Sequence, residues 1–414
     1  MMPNDTVLQL IVGVVLFSLI MMALVFIVLL ARARLLSTGF ARVTVNQSQS
    51  FSVPLGKKLL FALAEQGVFL PAACGGKGAC GQCLVKVIEG NDSLLPVETA
   101  HITSRQAAQG MRLACALRLK NDTTVQIPEA LLVKQQRECK VVSNQLVSTF
   151  ITQIELAPVD APALEFEAGD YLLLQAPPCS IKFEDFNIAA EYLPEWQRFN
   201  LLSLQTEIEE TELRAYSLAN APSENTTIRL LVRIATPPAK APVGTPAGKV
   251  SSYIFGLKPD ERVFITGPFG NFHVQQNENE MLFIGGGAGM APLRAMIREQ
   301  LLWVKTRRKI SFWYGARSKQ QLCYQREFEE LMEEHENFSW HVALSEPLAS
   351  DNWTGHVGFI HAVALQHYLS RHPSPQSIDY YICGPAVMSA AVTTMLKSLG
   401  VKTDSIFIDD FGGS

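Results

Sequence analysis

At 414 residues the chain is too long for one hydrophobic core, so two to four domains are expected. A net charge of −4 excludes the basic footprint of a nucleic-acid-binding protein. Eight cysteines in a chain of this length do not make the disulfide framework of a small secreted domain, and they suit a reducing compartment.

Residues 6–31 carry no charge, and Thr6, Gln9 and Ser18 are their polar side chains. About 20 apolar residues cross a hydrocarbon core, so this run is read as a single transmembrane helix. A signal peptide would want a basic leader, whereas Asp5 precedes the run. Arg32, Arg34 and Arg42 follow it, which places the rest of the chain in the cytoplasm.

Residues 36–130 read as a small α+β domain of ferredoxin size. Residues 40–45 alternate at period two as a strand, and 51–54 end a second strand. Residues 57–66 form an amphipathic helix stopped by Gly67. The sequence C-G-G-K-G-A-C-G-Q-C then places Cys74, Cys80 and Cys83 in one loop, and Cys115 follows in R-L-A-C-A. Four thiolates are what a [2Fe–2S] cluster requires, two for each iron. The glycines supply positive φ and close backbone approach. Structural zinc is the rival, because Cys₄ zinc ligands often come as two C-x₂-C pairs and here only Cys80 and Cys83 make one. The C-x₅-C spacing is one residue longer than the plant ferredoxin pattern. Strands at 84–90 and 124–128 complete the domain.

Residues 131–274 read as a barrel. Strands run through 141–157, and 166–174 turn into a buried strand. Residues 177–213 form a long aromatic and acidic insertion (Phe183, Phe186, Tyr192, Trp196; Glu184, Asp185, Glu191, Glu195), either a docking surface or a solvated loop. The strand R-A-Y-S-L-A-N places alternate residues on one face. Arg214 there suits a phosphate, Tyr216 a flat ring to stack on, and Ser217 a hydrogen bond to that ring. Residues 228–234 alternate as another strand. Gly248 and Ser251 open a helical segment suited to a pyrophosphate.

Residues 275–414 change to α/β alternation. The apolar strand 281–284 runs into Gly285, Gly286, Gly287, Ala288 and Gly289, and a helix follows with Pro292 in its first turn. Further strands are expected at 309–315, 338–344 and 380–383. Cys383, Gly384 and Pro385 end the last of these at the edge where such sheets bind ligands. Cys383 is either a neighbour of a nicotinamide or a small buried thiol. Phe411, near the end of the chain, either covers a flavin ring or packs on the sheet edge.

These stretches, with V-R-I-A-T-P-P, G-P-F-G, F-I-G-G-G-A-G-M-A-P-L-R, S-F-W-Y-G-A-R-S-K, C-G-P and the terminal D-D-F-G-G, resemble the family of F subunits of sodium-translocating NADH:quinone oxidoreductases. The resemblance runs essentially end to end, and several motifs are shared with the wider ferredoxin–NADP reductase family. It implies a multidomain fold: a transmembrane helix (6–31), a β-grasp [2Fe–2S] ferredoxin-like domain (36–130), an FAD-binding β-barrel (131–274) and an NADH-binding α/β domain (275–414). It implies that Cys74, Cys80, Cys83 and Cys115 ligate the cluster. Arg214, Tyr216 and Ser217 then bind FAD, with Gly248 and Ser251 at its pyrophosphate. Gly285, Gly286, Gly287, Gly289, Cys383, Gly384 and Pro385 serve NADH, and Phe411 shields the flavin. Cys383, Ser217 and Phe411 are the residues nearest the reaction.

Two details depart from or lie outside that pattern. Ala221 stands where an aromatic is expected, and the run from Arg317 to Lys319 could accommodate a 2′-phosphate, so NADH follows from the resemblance alone. The implied activity is NADH oxidation. Hydride passes to FAD, then single electrons pass through the cluster to membrane subunits and finally ubiquinone, with sodium expelled elsewhere in the complex. The implied location is a bacterial inner membrane, with the soluble domains facing the cytoplasm. Two alternatives stand beside it: the reductase component of an oxygenase system, and a membrane-tethered ferredoxin relay without NADH turnover.

Overall fold

The computed structural model describes residues 4–35, 39–90, 93–132, 136–159, 163–238, 241–242 and 244–409. Its internal contacts divide the chain into two units, residues 1–66 with 84–127 and residues 67–83 with 128–414.

The first unit opens with helix α1 (Asn4–Leu35). From Ile11 to Ile27 every side chain in it is exposed, and nearly all are apolar. Among the described residues no helix is long and apolar enough to cross a membrane, and the side chains of residues 6–8, 10 and 28–31 of the expected crossing lie outside them.

A five-stranded sheet follows, built from β1 (Phe40–Val45), β2 (Gln49–Pro54), β3 (Leu84–Glu89), β4 (Met111–Leu113) and β5 (Thr123–Gln126) in the order β2-β1-β5-β3-β4. Its β1–β5 pair is parallel and the others are antiparallel. Helix α2 (Leu59–Glu65) buries Leu59, Leu60, Ala62 and Leu63. The buried Glu98 carboxylate accepts the Leu95 and Leu113 backbone N–H groups, each at 2.8 Å. It thereby fixes the segment that leads into Cys115. Helix α3 (Ser104–Ala108) is capped by Thr103, whose hydroxyl accepts the Gln106 N–H.

The second unit contains α4 (Glu129–Leu132), β6 (Gln136–Ser148), β7 (Ile151–Pro158), β8 (Tyr171–Ala176), β9 (Cys179–Lys182), α5 (Leu193–Arg198), β10 (Gln205–Ile208), β11 (Glu212–Ser217), β12 (Ile228–Arg233), α6 (Lys249–Gly256) and β13 (Arg262–Phe269). Six of these strands make an antiparallel sheet in the order β11-β8-β13-β6-β7-β12, the expected barrel lobe. β9 and β10 pair separately. The 177–213 insertion is exposed along most of its length and is anchored to the barrel by a few buried aromatic side chains. Phe183 and Trp196 are fully buried, and their rings meet those of Phe186 and Phe255 in the barrel core.

The α/β lobe comprises β14 (Glu280–Gly286), α7 (Met290–Arg298), β15 (Ile310–Ala316), α8 (Gln325–Glu334), β16 (Phe338–Leu344), β17 (His356–Val357), α9 (Ile360–His367), β18 (Ile378–Cys383), α10 (Ala386–Ser398) and β19 (Ile406–Asp409). All strand pairs are parallel, in the order β17-β16-β15-β14-β18-β19. β14 and β18 lie inside and are buried on both faces, which explains their unbroken apolar runs. The lobes of this unit are tied by Arg294 on α7. Its guanidinium is almost fully buried, donates to the Ala219 carbonyl at 2.6 Å and pairs with Glu327 at 2.9 Å.

Candidate cofactor and nucleotide sites

Three of the four candidate cluster ligands lie in the 67–83 loop. The Cys80 thiol donates to Cys74 Sγ at 3.4 Å, and no disulfide joins any of the eight cysteines. Sharing that proton pulls the Cys74 thiol down and pushes Cys80 up. Backbone N–H groups of Cys80, Ala79 and Lys77 add to the effect on Cys74. Cys74 and Cys83 are buried and Cys80 is half-buried. Cys115 lies in the first unit and is buried there. Among the described residues no three His, Cys, Asp or Glu side chains stand together closely enough to hold a metal ion. The donor chemistry of the loop nevertheless fits a thiolate-bound group: unbridged thiols, with backbone N–H groups turned toward sulfur.

The loop rests on the barrel at two points inside the second unit. Tyr171 O–H donates to Gln82 Oε1 at 2.6 Å. Arg214 reaches the Gly75 carbonyl at 3.5 Å. Gly75 has φ +64°, and a Cβ there would lie 2.7 Å from Arg214 Cδ, so a larger residue would be strained and would displace the Arg214 side chain.

The expected flavin residues lie on β11. Glu212 accepts ion pairs from Arg214 at 3.3 Å and from Lys249 at 2.9 Å. Lys249 opens α6 behind its N-cap Gly248, so two cations and a helix N-terminus gather in one place. That donor set fits a diphosphate. Ser251 itself is committed elsewhere: its buried hydroxyl donates to the Gly248 carbonyl at 3.0 Å and accepts the Ala235 N–H at 3.2 Å. Burial pushes the Tyr216 phenol well up, so it stays neutral.

Ser217 and Cys383 are brought to one carboxylate. Ser217 Oγ donates to Asp409 Oδ2 at 3.0 Å, and Cys383 Sγ lies 4.0 Å from the same oxygen. Sequence reasoning singled out Ser217 and Cys383 and missed Asp409. Phe411 lies outside the described residues.

A cavity of about 340 Å³ opens at the carboxyl edge of the parallel sheet. Gly286, Gly287, Gly315, Arg317, Ser345, Pro385 and Met388 line it from the α/β lobe, and Ser148, Phe150, Ile151 and Arg233 from the barrel. Gly285 and Gly289 are not on its wall. A Cβ on Gly289 would lie 2.0 Å from the Cys383 carbonyl oxygen, so Gly289 lets the turn after β14 close against β18. Arg233 was legible only as a residue of an alternating strand. Arg233 is exposed on that wall, and partial desolvation by the surrounding atoms, then the nearby Arg317 charge, lower its affinity for its proton. Two guanidiniums facing one cavity suit an anionic ligand.

Three family profiles match the chain: a 2Fe-2S iron-sulfur cluster binding domain over residues 43–120, an oxidoreductase FAD-binding domain over 198–274, and an oxidoreductase NAD-binding domain over 283–394. The chain is 46% identical over 407 residues to the F subunit of the Na(+)-translocating NADH-quinone reductase of Yersinia enterocolitica, covering 98% of this chain and 100% of that one. It is 45% identical over 405 residues to the protein of the same name in Neisseria gonorrhoeae, with the same coverage. Among solved structures it resembles an Amycolatopsis cytochrome P450 reductase, with a TM-score of 0.60 and 26% identity over 90% of this chain and 98% of that one. A ferredoxin reductase of carbazole 1,9a-dioxygenase shares the fold, with a TM-score of 0.58 and 22% identity over 90% of this chain and 98% of that one.

Proposed function

This chain belongs to the family of F subunits of the Na(+)-translocating NADH-quinone reductase, and from that premise we propose that it takes reducing equivalents from NADH and delivers single electrons toward a quinone. It is an oxidoreductase component with a 2Fe-2S, an FAD-binding and an NAD-binding domain. When bound, the flavin supplies two-electron hydride chemistry and the cluster one-electron transfer. The observation that carries the reading is the meeting of Ser217, Asp409 and Cys383 where the barrel joins the parallel sheet.

The chain's residues divide the work. Cys74, Cys80, Cys83 and Cys115 would hold the cluster. Arg214, with Lys249 and the N–H groups that open α6 behind Gly248, would hold the FAD pyrophosphate. Tyr216 and Ser217 would orient the ring, and Phe411 would cover it. Gly286, Gly287 and Pro385 would form the wall against NADH, with Gly285, Gly289, Cys383 and Gly384 setting the turns behind that wall. Arg233 would face its phosphates. Hydride transfer needs no strong acid or base, and the Ser217–Asp409 pair serves to fix a hydroxyl in place.

The finer placement is also a proposal. Residues 6–31 would cross a bacterial inner membrane, with 36–130, 131–274 and 275–414 as cytoplasmic domains. The partners would be the other membrane subunits of the complex, through which electrons reach ubiquinone. Detergent should be needed to extract the full chain from membranes. Recovery in the soluble fraction would favour the oxygenase-reductase reading, which shares this fold.

Anaerobic mixing of the purified, cofactor-loaded full chain with NADH tests the order of transfer. Flavin absorbance should fall first and cluster absorbance after it. A cluster that stays oxidised beside a reduced flavin would overturn that order. No NADH oxidation at all would favour the relay reading.

A further inference from the structure

The 177–213 insertion has a use beyond filling the barrel core. We infer that Trp196 is a positioning residue for the dinucleotide cavity, acting through the β6–β7 turn. This rests on reading the 340 Å³ cavity as the NADH site.

The chain of contacts is short. Trp196 is fully buried, and a buried indole N–H requires an acceptor. It donates to the Thr149 carbonyl at 2.7 Å. Thr149, also fully buried, directs both its N–H and its hydroxyl to the Gln320 carbonyl, each at 3.1 Å. The turn is thus held on one side by the insertion and on the other by the α/β lobe. Its neighbours Ser148, Phe150 and Ile151 all line the cavity.

The same turn sets Arg233. Ile151 is the register partner of Arg233 across the β7–β12 pair, and the Ile234 N–H donates to the Phe150 carbonyl at 3.0 Å. The Phe150 ring lies 6.4 Å from Trp196 and 6.1 Å from Phe199, both in the insertion. A shift of the turn therefore moves an apolar wall and a guanidinium together.

Two substitutions test this in the FAD-loaded full chain. Trp196→Phe keeps an aromatic ring and removes the N–H donor. Thr149→Val keeps the shape of the turn residue and removes its hydroxyl bond to Gln320, so it tests the turn from the α/β side, and Trp196→His, which keeps a ring N–H in a smaller side chain, tests the insertion side if Trp196→Phe fails to fold. Each should raise KM for NADH, and the calorimetric Kd for NAD⁺ on the oxidised protein, by roughly three- to tenfold, the scale of one buried hydrogen bond. The turnover number at saturating NADH should stay within about twofold, because no group at the reacting atoms has changed.

A lowered melting temperature with unchanged KM and Kd in the folded variants would reduce Trp196 to core packing and overturn the inference. Met388→Trp, which fills the cavity, separates this from the underlying reading. Unchanged NAD⁺ binding in that variant would overturn both. Impaired binding there, with normal binding in the other two, would overturn this inference alone.

Discussion

Ser217 Oγ donates to Asp409 Oδ2 at 3.0 Å, joining the end of β11 in the barrel to the end of β19 in the parallel sheet. The pair holds the hydroxyl in one rotamer, with Cys383 4.0 Å from the same carboxylate oxygen. Asp409→Asn keeps the size of the side chain and removes its charge. The amide oxygen can still accept the Ser217 hydroxyl, so what is lost is the excess of a charged over a neutral hydrogen bond, about 1–1.5 kcal/mol, which as a barrier difference is roughly five- to tenfold in rate. Stopped-flow reduction of the flavin by NADH should slow by that factor, with KM little changed. A normal rate would make the pair a packing contact between lobes.

The cysteine loop predicts a separation of two half-reactions. Cys80 shares a proton with Cys74 and sits in a loop that Tyr171 and Arg214 hold from the barrel. Cys80→Ala should remove the iron and its visible and EPR signals. Reduction of the flavin by NADH should stay within about twofold, because hydride transfer does not use the thiol. Quinone reduction by the assembled complex should be lost. Simultaneous loss of flavin reduction would assign the loop a structural role in the barrel.

Local pattern made much of this fold legible. Period-two alternation marks β1 and β12, and an unbroken apolar run marks β14, because a strand buried on both faces has no polar side. The cysteine spacing and the glycines after β14 carry their chemistry in a few adjacent residues. Asp409 was illegible because its role exists only once β19 pairs with β18 and meets β11. Arg233 depends on the β7–β12 register in the same way. Trp196 sits in an acidic stretch without hydrophobic period, so its burial could not be read before the barrel core was seen around it.

Arg317 lines the cavity, and its guanidinium pairs with Glu346 at 2.9 Å. Its charge is therefore already partnered, and a 2′-phosphate binding there would also meet the Glu346 carboxylate. NADH should be preferred over NADPH for that reason. Both side chains are more than half exposed, and such pairs contribute about 1 kcal/mol or less. Glu346→Gln should then raise kcat/KM for NADPH relative to NADH by roughly two- to fivefold, and Glu346→Arg by more. An unaltered ratio in both variants would place phosphate discrimination elsewhere.

His273 should make part of the second unit's stability depend on pH. Its Nε2 lies 2.8 Å from Asp170 Oδ1 and its Nδ1 3.2 Å from Glu167 Oε2. The hydrogen bond to Asp170 raises its pKa above the ordinary 6.5, against desolvation and with further help from both carboxylates. Because the folded value is the higher one, the added stability is complete below the unfolded value and fades as pH rises through the folded one. The Asp170 carbonyl also accepts the Leu218 N–H at 2.9 Å, one residue beyond Ser217, so this ion pair supports the end of β11. The melting-temperature gap between the wild type and His273→Gln should be widest near about pH 5.5 and narrow toward about pH 8.5. It should also narrow in high salt, since the histidine is partly exposed. A gap that stays constant across that range would mean that His273 contributes only as a neutral hydrogen-bonding ring.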